Sequence, residues 1–235
     1  MEINHSLESL KVIARIKTPF SEKFGIPRQS GIVEELKATI VFEPEYRNPD
    51  AVRGIEGFSH IWLLWGFYGT ERKDWSATVA PPRLGGKTRI GVFATRSPFR
   101  PNPIGLSSVR LHGVEYDRDD GPALQVFGAD LLNDTPIYDI KPYLAYTDSH
   151  PEANSGFAAE VKDYALAVDF PGALQEQVPA EYRAPILGIL AHDPRPAYRR
   201  ECEEEQVYGV AFAEYNIRFF VRGNQLTVCA VELLR

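Results

Sequence analysis

Short apolar runs separated by polar breaks dominate the chain up to Thr147. Leu10 to Ile16, Lys37 to Phe42, His60 to Phe67, Arg89 to Ala94, Leu106 to Val114 and Ala123 to Leu131 are rich in Val, Ile, Leu and aromatics, with Gly, Pro, Asn and Asp between them. Such runs read as strands. Helical periodicity is scarce over the same stretch. Successive strands without intervening helices predict a compact barrel or sandwich rather than a parallel α/β sheet.

The pattern changes near Thr147. TDSHPEANSG is polar and turn-rich, and Phe157 to Val168 mixes Ala, Glu, Lys and Val without strand alternation. Pro179 to Leu190 reads as a helix interrupted by Pro185, while Gly209 to Val221 and Gln225 to Leu234 read as a hairpin about Arg222-Gly223-Asn224. These signals predict two domains, a β domain over residues 1–147 and a small α+β domain over residues 148–235.

Composition narrows the class. The chain has 235 residues, 44% hydrophobic and 25% charged, as expected of a soluble protein with its own core. There is no apolar run of about 18 residues and no signal-peptide core near the N-terminus, so a cytoplasmic location without membrane contact is expected. Cys202 and Cys229 stand apart, and His112 and His192 have no companions at ligand spacing. Neither a disulfide framework nor a metal site is predicted. No GxGxxG or GxxxxGK[ST] string is present, which argues against Rossmann-type and P-loop sites.

Residues Thr95 to Leu106 read TRSPFRPNPIGL. Pro98, Pro101 and Pro103 fix the backbone and bias the residues before them to extended conformations, giving a stiff loop that presents Arg96, Arg100 and Asn102. Arginine forks suit carboxylate or phosphate, and asparagine both donates and accepts, so the loop suits an anionic or nucleotide-like ligand. A proline-braced surface loop with solvated arginines is the plain alternative. Charge adds weight to the first reading. From Trp75 to Val114 there are six basic residues and no acid; with +6 here and −6 overall, the remainder carries −12. A segregated basic face on an acidic body suits one docking surface for a polyanion. A second stiff loop, Asp193 to Arg200, carries Arg195, Tyr198 and Arg199, where the tyrosine could stack on a base and the arginines meet phosphates. The ECEEE that follows leaves a charge-balanced solvated loop equally open.

Several strings together carry a resemblance. IPRQSGIV (Ile26 to Val33), AVRGIEGFSHIWLLWGF (Ala51 to Phe67), PPRLGG (Pro81 to Gly86), GVFATRSPFRPNPIGLS (Gly91 to Ser107), DLLNDTPIYDIKPY (Asp130 to Tyr143) and DPRPAYR (Asp193 to Arg199) resemble the YaeB/TsaA, or TrmO, family. The resemblance spans nearly the whole chain. It implies a tRNA methyltransferase that uses S-adenosylmethionine to methylate N6 of threonylcarbamoyl-adenosine at position 37, just 3′ of the anticodon. It also implies an antiparallel β-barrel, a small C-terminal domain, and a homodimer with the cofactor near the subunit interface.

By the same resemblance, Pro27, Arg28, Gln29, the corner Phe67-Tyr68-Gly69, Arg96 or Arg100, Leu111 and the turn Asp130-Leu131-Leu132-Asn133 would contact the cofactor. The chain departs at Tyr68-Gly69, where His-Gln is expected in close relatives, so a backbone contact or a stacking tyrosine would replace a side-chain hydrogen bond there. The ligand's chemistry agrees: a carboxylate wants an arginine fork, a sulfonium favours aromatic faces, and adenine needs an apolar slot. For the transfer itself, Asp139 is expected to orient or take the acceptor's N–H proton, Lys141 and Tyr143 to place the base, and Asn102 to grip its polar edge. His60, Trp62 and Trp65 read as packing. Two other readings stay open, a non-catalytic RNA-binding module and a small-molecule hydrolase built on Asp139 and His60.

Overall fold

The computed structural model describes residues 10–68, 74–81, 88–161, 164–195 and 206–234. Strands β1 (Ala14–Lys17), β2 (Lys37–Phe42), β3 (His60–Gly66), β6 (Ile104–Glu115), β7 (Ala123–Phe127) and β8 (Thr135–Pro142) close a barrel in the order β1-β2-β7-β6-β3-β8, every neighbouring pair antiparallel. Between β3 and β6 lies a two-stranded ribbon, β4 (Thr78–Val79) with β5 (Ile90–Gly91). Alternation fills the barrel: Ile16, Ile40, Ile61, Leu63, Val109, Leu124, Val126 and Ile137 are all but fully buried, and each point of the period-2 pattern sends the next residue outward. Mainly-β architecture thus agrees with the expectation from the short runs.

Three differences from the expected elements have physical reasons. The strand anticipated over Arg89 to Ala94 is two residues of ribbon followed by a 3-10 turn, Val92–Ala94, because the proline loop after it turns the chain away. Strand β8 is not among the short runs that read as strands; its prolines, Pro136 and Pro142, sit near its ends, where a missing N–H is tolerated. Pro185 does not interrupt the long helix, because burial of Pro185, Ile186, Ile189 and Leu190 on one face holds Ala180–Ala191 together.

The second sheet has the order β10-β11-β12-β9, with β9 (Ala167–Asp169) parallel to β12 (Gln225–Leu233) and β10 (Tyr208–Phe212) and β11 (Tyr215–Arg222) antiparallel hairpin neighbours. Short helices α1 (Ala145–Asp148) and α2 (Gly172–Gln175) precede α3 (Ala180–Ala191). The core under this sheet draws Phe20, Val33 and Leu36 from the segment between β1 and β2, and Phe20 meets Phe212 edge to face at 5.8 Å. So the stretch from Thr18 to Leu36, which carries Pro27 to Gln29, is anchored in the second core while its ends belong to the barrel.

Candidate functional site

The proline loop is held open by its own side chains. Thr95 Oγ1 donates to the Val92 carbonyl at 2.8 Å and accepts from the Ser97 N–H at 3.2 Å; Ser97 Oγ accepts from the Phe99 N–H at 3.3 Å. Arg100 Nη1 closes the turn on the Thr95 carbonyl at 3.1 Å, and the Phe67 N–H reaches the Pro103 carbonyl at 2.9 Å. The prolines supply no donors, so hydroxyls, one guanidinium and a few backbone N–H groups, those of Phe67, Ser76 and Ile104 among them, carry the loop's hydrogen bonding.

Against this loop lies a cavity of about 390 Å³ lined by Pro27, Arg28 and Gln29 from the anchored segment, Trp65 and Phe67 from the end of β3, Thr95, Arg96, Arg100 and Asn102 from the loop, Ile104 to Leu106 from β6, and Asp130. Its size falls within the range of small-molecule sites, about 300–1,000 Å³. Arg96 Nη1 donates to Gln29 Oε1, joining two walls. Arg28 Nη2 donates to the Arg195 carbonyl at 3.3 Å. Trp65 and Phe67 pack edge to face at 4.4 Å. Burial pushes the Asp130 carboxyl above its ordinary range, opposed by the hydrogen bond from Ser107 and the charge of Arg96. Three guanidinium groups, two aromatic faces and one carboxyl therefore converge on one concavity.

Several expected residues lie outside the cavity lining. Leu111 faces the barrel interior, because β6 alternation sends Gly105, Ser107, Val109 and Leu111 inward. In the turn after β7 only Asp130 presents a side chain to the cavity. Leu131 is in the barrel core and Leu132 packs on the second core. Asn133 clamps the start of the anchored segment, its Oδ1 accepting from the Thr18 N–H at 3.1 Å. Tyr68 donates to the Asn133 carbonyl, and burial, then the charge of Asp134, push its phenol up, so the corner that departs from the expected pattern is a strut between β3 and this turn. Gly69, Tyr198 and Arg199 lie outside the described residues.

Arg195 requires a correction. Its side chain is 7% exposed and grips the wholly buried Asp193, Nε to Oδ1 at 2.8 Å and Nη2 to Oδ2 at 3.1 Å, with the Tyr164 hydroxyl donating to Oδ2 at 2.9 Å. A guanidinium committed to a buried carboxylate cannot meet solvent-exposed phosphates. What Arg195 offers the site is a backbone carbonyl that holds Arg28.

Asp139, Lys141 and Tyr143 lie on the outer face of the barrel, not in the cavity wall. Asp139 Oδ2 meets Lys141 Nζ at 2.7 Å, and Oδ1 accepts from the Ile140 N–H at 2.9 Å. The Tyr143 ring packs on Trp62 at 5.4 Å, whose indole N–H bonds Asp148 Oδ2 at 2.8 Å. Register ties this face to the cavity: Leu64 of β3 pairs with Asp139 on one side and with Leu106, a cavity residue half exposed to solvent, on the other. Two strand spacings, about 10 Å, separate the strands of Asp139 and Leu106.

Sequence reasoning missed Trp65 and Ser107 as parts of the site. Trp65 reads as a core residue and is one, at 9% exposure, yet its indole also lines the cavity. The signal that could have found Ser107 is a lone hydroxyl at an inward position of an otherwise apolar alternation. Among the described residues no His, Cys, Asp or Glu group could hold a metal ion, and no helix is long and apolar enough to cross a membrane.

Comparison with known proteins supplies the context. Residues 15–149 match the family model described as the tRNA-methyltransferase O N-terminal domain, and residues 161–234 match the TrmO C-terminal domain. A tRNA (adenine(37)-N6)-methyltransferase of Escherichia coli K12 is 42% identical over 226 residues, 94% of this chain and 96% of that protein. A putative S-adenosylmethionine-dependent methyltransferase, RcsF, of Pseudomonas aeruginosa is 37% identical, covering 90% of this chain and 91% of its own length. A crystal structure of TrmO from Pseudomonas aeruginosa superposes with a TM-score of 0.77 at 31% identity, over 99% of this chain and 100% of that one. With family models over both halves and full-length relatives of this similarity, the chain belongs to the TrmO family.

Proposed function

We propose that this chain transfers a methyl group from S-adenosylmethionine to N6 of adenine 37 in tRNA, with threonylcarbamoyl-adenosine as the acceptor. The observation that carries the reading is the joining of the arginine-lined cavity to the Asp139–Lys141 face through Leu106 and Leu64, on a chain similar end to end to tRNA (adenine(37)-N6)-methyltransferases. The cavity's chemistry fits the cofactor: Arg28, Arg96 and Arg100 suit its carboxylate, Trp65 and Phe67 its sulfonium, and Asp130 its hydroxyl or ammonium donors. When bound it supplies an electrophilic methyl on sulfur.

The chain's residues then have limited work. Leu64 and Leu106 place apolar side chains between the cavity and the Asp139 face. Asn102, at the cavity wall, suits the polar edge of the modified base. Asp139 accepts the N6 proton as the new carbon–nitrogen bond forms, and Lys141 holds the carboxylate in place. Alignment at about 3–3.5 Å supplies much of the acceleration. We further propose that the protein works in the cytoplasm as a homodimer. The exposed Leu106 in the cavity wall, with Tyr68 next in sequence to the cavity residue Phe67, supports a partner at this face.

The deciding experiment is transfer of labelled methyl from S-adenosylmethionine to tRNA carrying threonylcarbamoyl-adenosine, with unmodified tRNA as control. Label at residue 37 establishes the reading; saturable tRNA binding with no label on either substrate would favour an RNA-binding module. Equilibrium sedimentation reads the mass, and a monomer at all concentrations would remove the dimer.

A further inference from the structure

Among the described residues Asp130 is the one carboxyl in the cavity wall, and it is reached by a chain of two hydrogen bonds from inside the barrel. The Trp65 indole N–H donates to Ser107 Oγ at 3.0 Å, and Ser107 Oγ donates to Asp130 Oδ1 at 2.7 Å. Ser107 is 2% exposed, so water does not compete for its hydroxyl. The direction of the chain follows from chemistry. An indole can only donate, and a serine hydroxyl has a single proton. With one lone pair engaged by Trp65, the hydroxyl proton goes to the carboxylate. Asp130 Oδ1 is thereby an acceptor.

Gly105 makes the arrangement possible. A Cβ there would stand 2.2 Å from Trp65 Cε2, so only glycine lets the indole lie across the β6 backbone and reach Ser107 two residues on. The other charged groups that face Asp130 are Arg96 and, around the same cavity, Arg28 and Arg100; the Ser30 N–H also approaches. Without Ser107 the partly buried carboxyl would lose the nearest group that favours its ionised form.

We infer that Ser107 is a positioning residue: its proton, directed by Trp65 over Gly105, keeps Asp130 an ionised acceptor in the cavity wall, ready for a hydroxyl or ammonium donor of the bound methyl donor. The inference rests on the proposed role of the cavity. It adds a dependence that packing alone would not create, because Ser107 acts through the ionisation of Asp130.

The test is the pH profile of S-adenosylmethionine affinity, by calorimetry between pH 5.5 and 8.5, for the wild-type chain, Ser107→Ala, Ser107→Thr and Trp65→Phe, with the carbon-13 carboxyl resonance of Asp130 titrated in the same proteins without ligand. Ser107→Ala is expected to move the acid limb to higher pH, weakening affinity on the order of tenfold there and converging on the wild type at alkaline pH. Trp65→Phe should move it in the same direction by less, and Ser107→Thr should restore it. A uniform loss across pH, or an Asp130 resonance with the same midpoint in wild type and Ser107→Ala, overturns the inference. If the wild type shows no saturable binding at any pH, the reading of the cavity fails, and the Asp130 titration decides the role of Ser107 alone.

Discussion

Asp130 and Asp139 are carboxylates of opposite circumstance. Asp130 sits partly buried, and desolvation lifts its pKa above the unfolded value. The folded protein therefore holds on to its proton at a pH where the unfolded chain has released it. Stability from this group is full below about pH 4, the ordinary carboxylate range, and declines as pH rises through the raised pKa. Asp130→Asn is thus expected to raise the melting temperature at pH 8 and leave it unchanged near pH 3.5, while weakening S-adenosylmethionine binding about tenfold or more at neutral pH; equal melting shifts at both values would show that the change acts through packing instead. Asp139 stands on the open outer face beside Lys141. As the proposed proton acceptor it should be needed for turnover rather than for holding RNA. Asp139→Asn is expected to lower the single-turnover rate by about 10²–10⁴ with tRNA affinity retained. An undiminished rate would remove it from the chemistry.

At the scale of elements, the two proline-rich loops look alike in sequence and differ in use. The loop from Thr95 to Pro103 spends its hydroxyls on its own backbone and turns Arg96, Arg100 and Asn102 to a cavity. The loop at Asp193 turns Arg195 inward to a buried carboxylate. Sequence could not separate them, because burial of Arg195 depends on Tyr164 and the second core, which are remote in the chain. Arg195→Ala is expected to leave the Asp193 carboxylate buried without its guanidinium partner, the Tyr164 hydroxyl remaining, at a cost of about 3–5 kcal/mol in chemical denaturation. It should also lower S-adenosylmethionine affinity through the lost anchor for Arg28, whereas a change in tRNA affinity alone would point back to a phosphate contact. Strand β8 makes the same point in another way. It is not among the runs that read as strands, and pairing with β1 and β3 on either side makes it one.

Across the whole molecule the charge is divided between an acidic body and a basic stretch. Among the described residues of that stretch, Arg89 bonds Thr78, Arg96 bonds Gln29, Arg100 bonds the Thr95 carbonyl and Arg110 lies 4.5 Å over the Phe127 ring. Partly engaged cations still contribute field, so tRNA affinity is expected to fall steeply with salt, with a logarithmic slope of roughly −2 to −4. S-adenosylmethionine binding, measured alongside, should change little over the same range; a flat slope for tRNA would mean that this face does not meet the phosphate backbone. What the sequence determined by itself is what short-range chemistry decides: short apolar runs marked most of the strands of a mainly-β fold, prolines marked stiff loops, and the strings from Ile26 to Arg199 marked the family. Which arginine faces a ligand, which faces a buried carboxylate, and that a serine two places beyond Gly105 joins Trp65 to Asp130 were decided only by the tertiary structure. Those facts depend on barrel closure and on which side of each strand faces inward, which bring together residues separated by tens of positions.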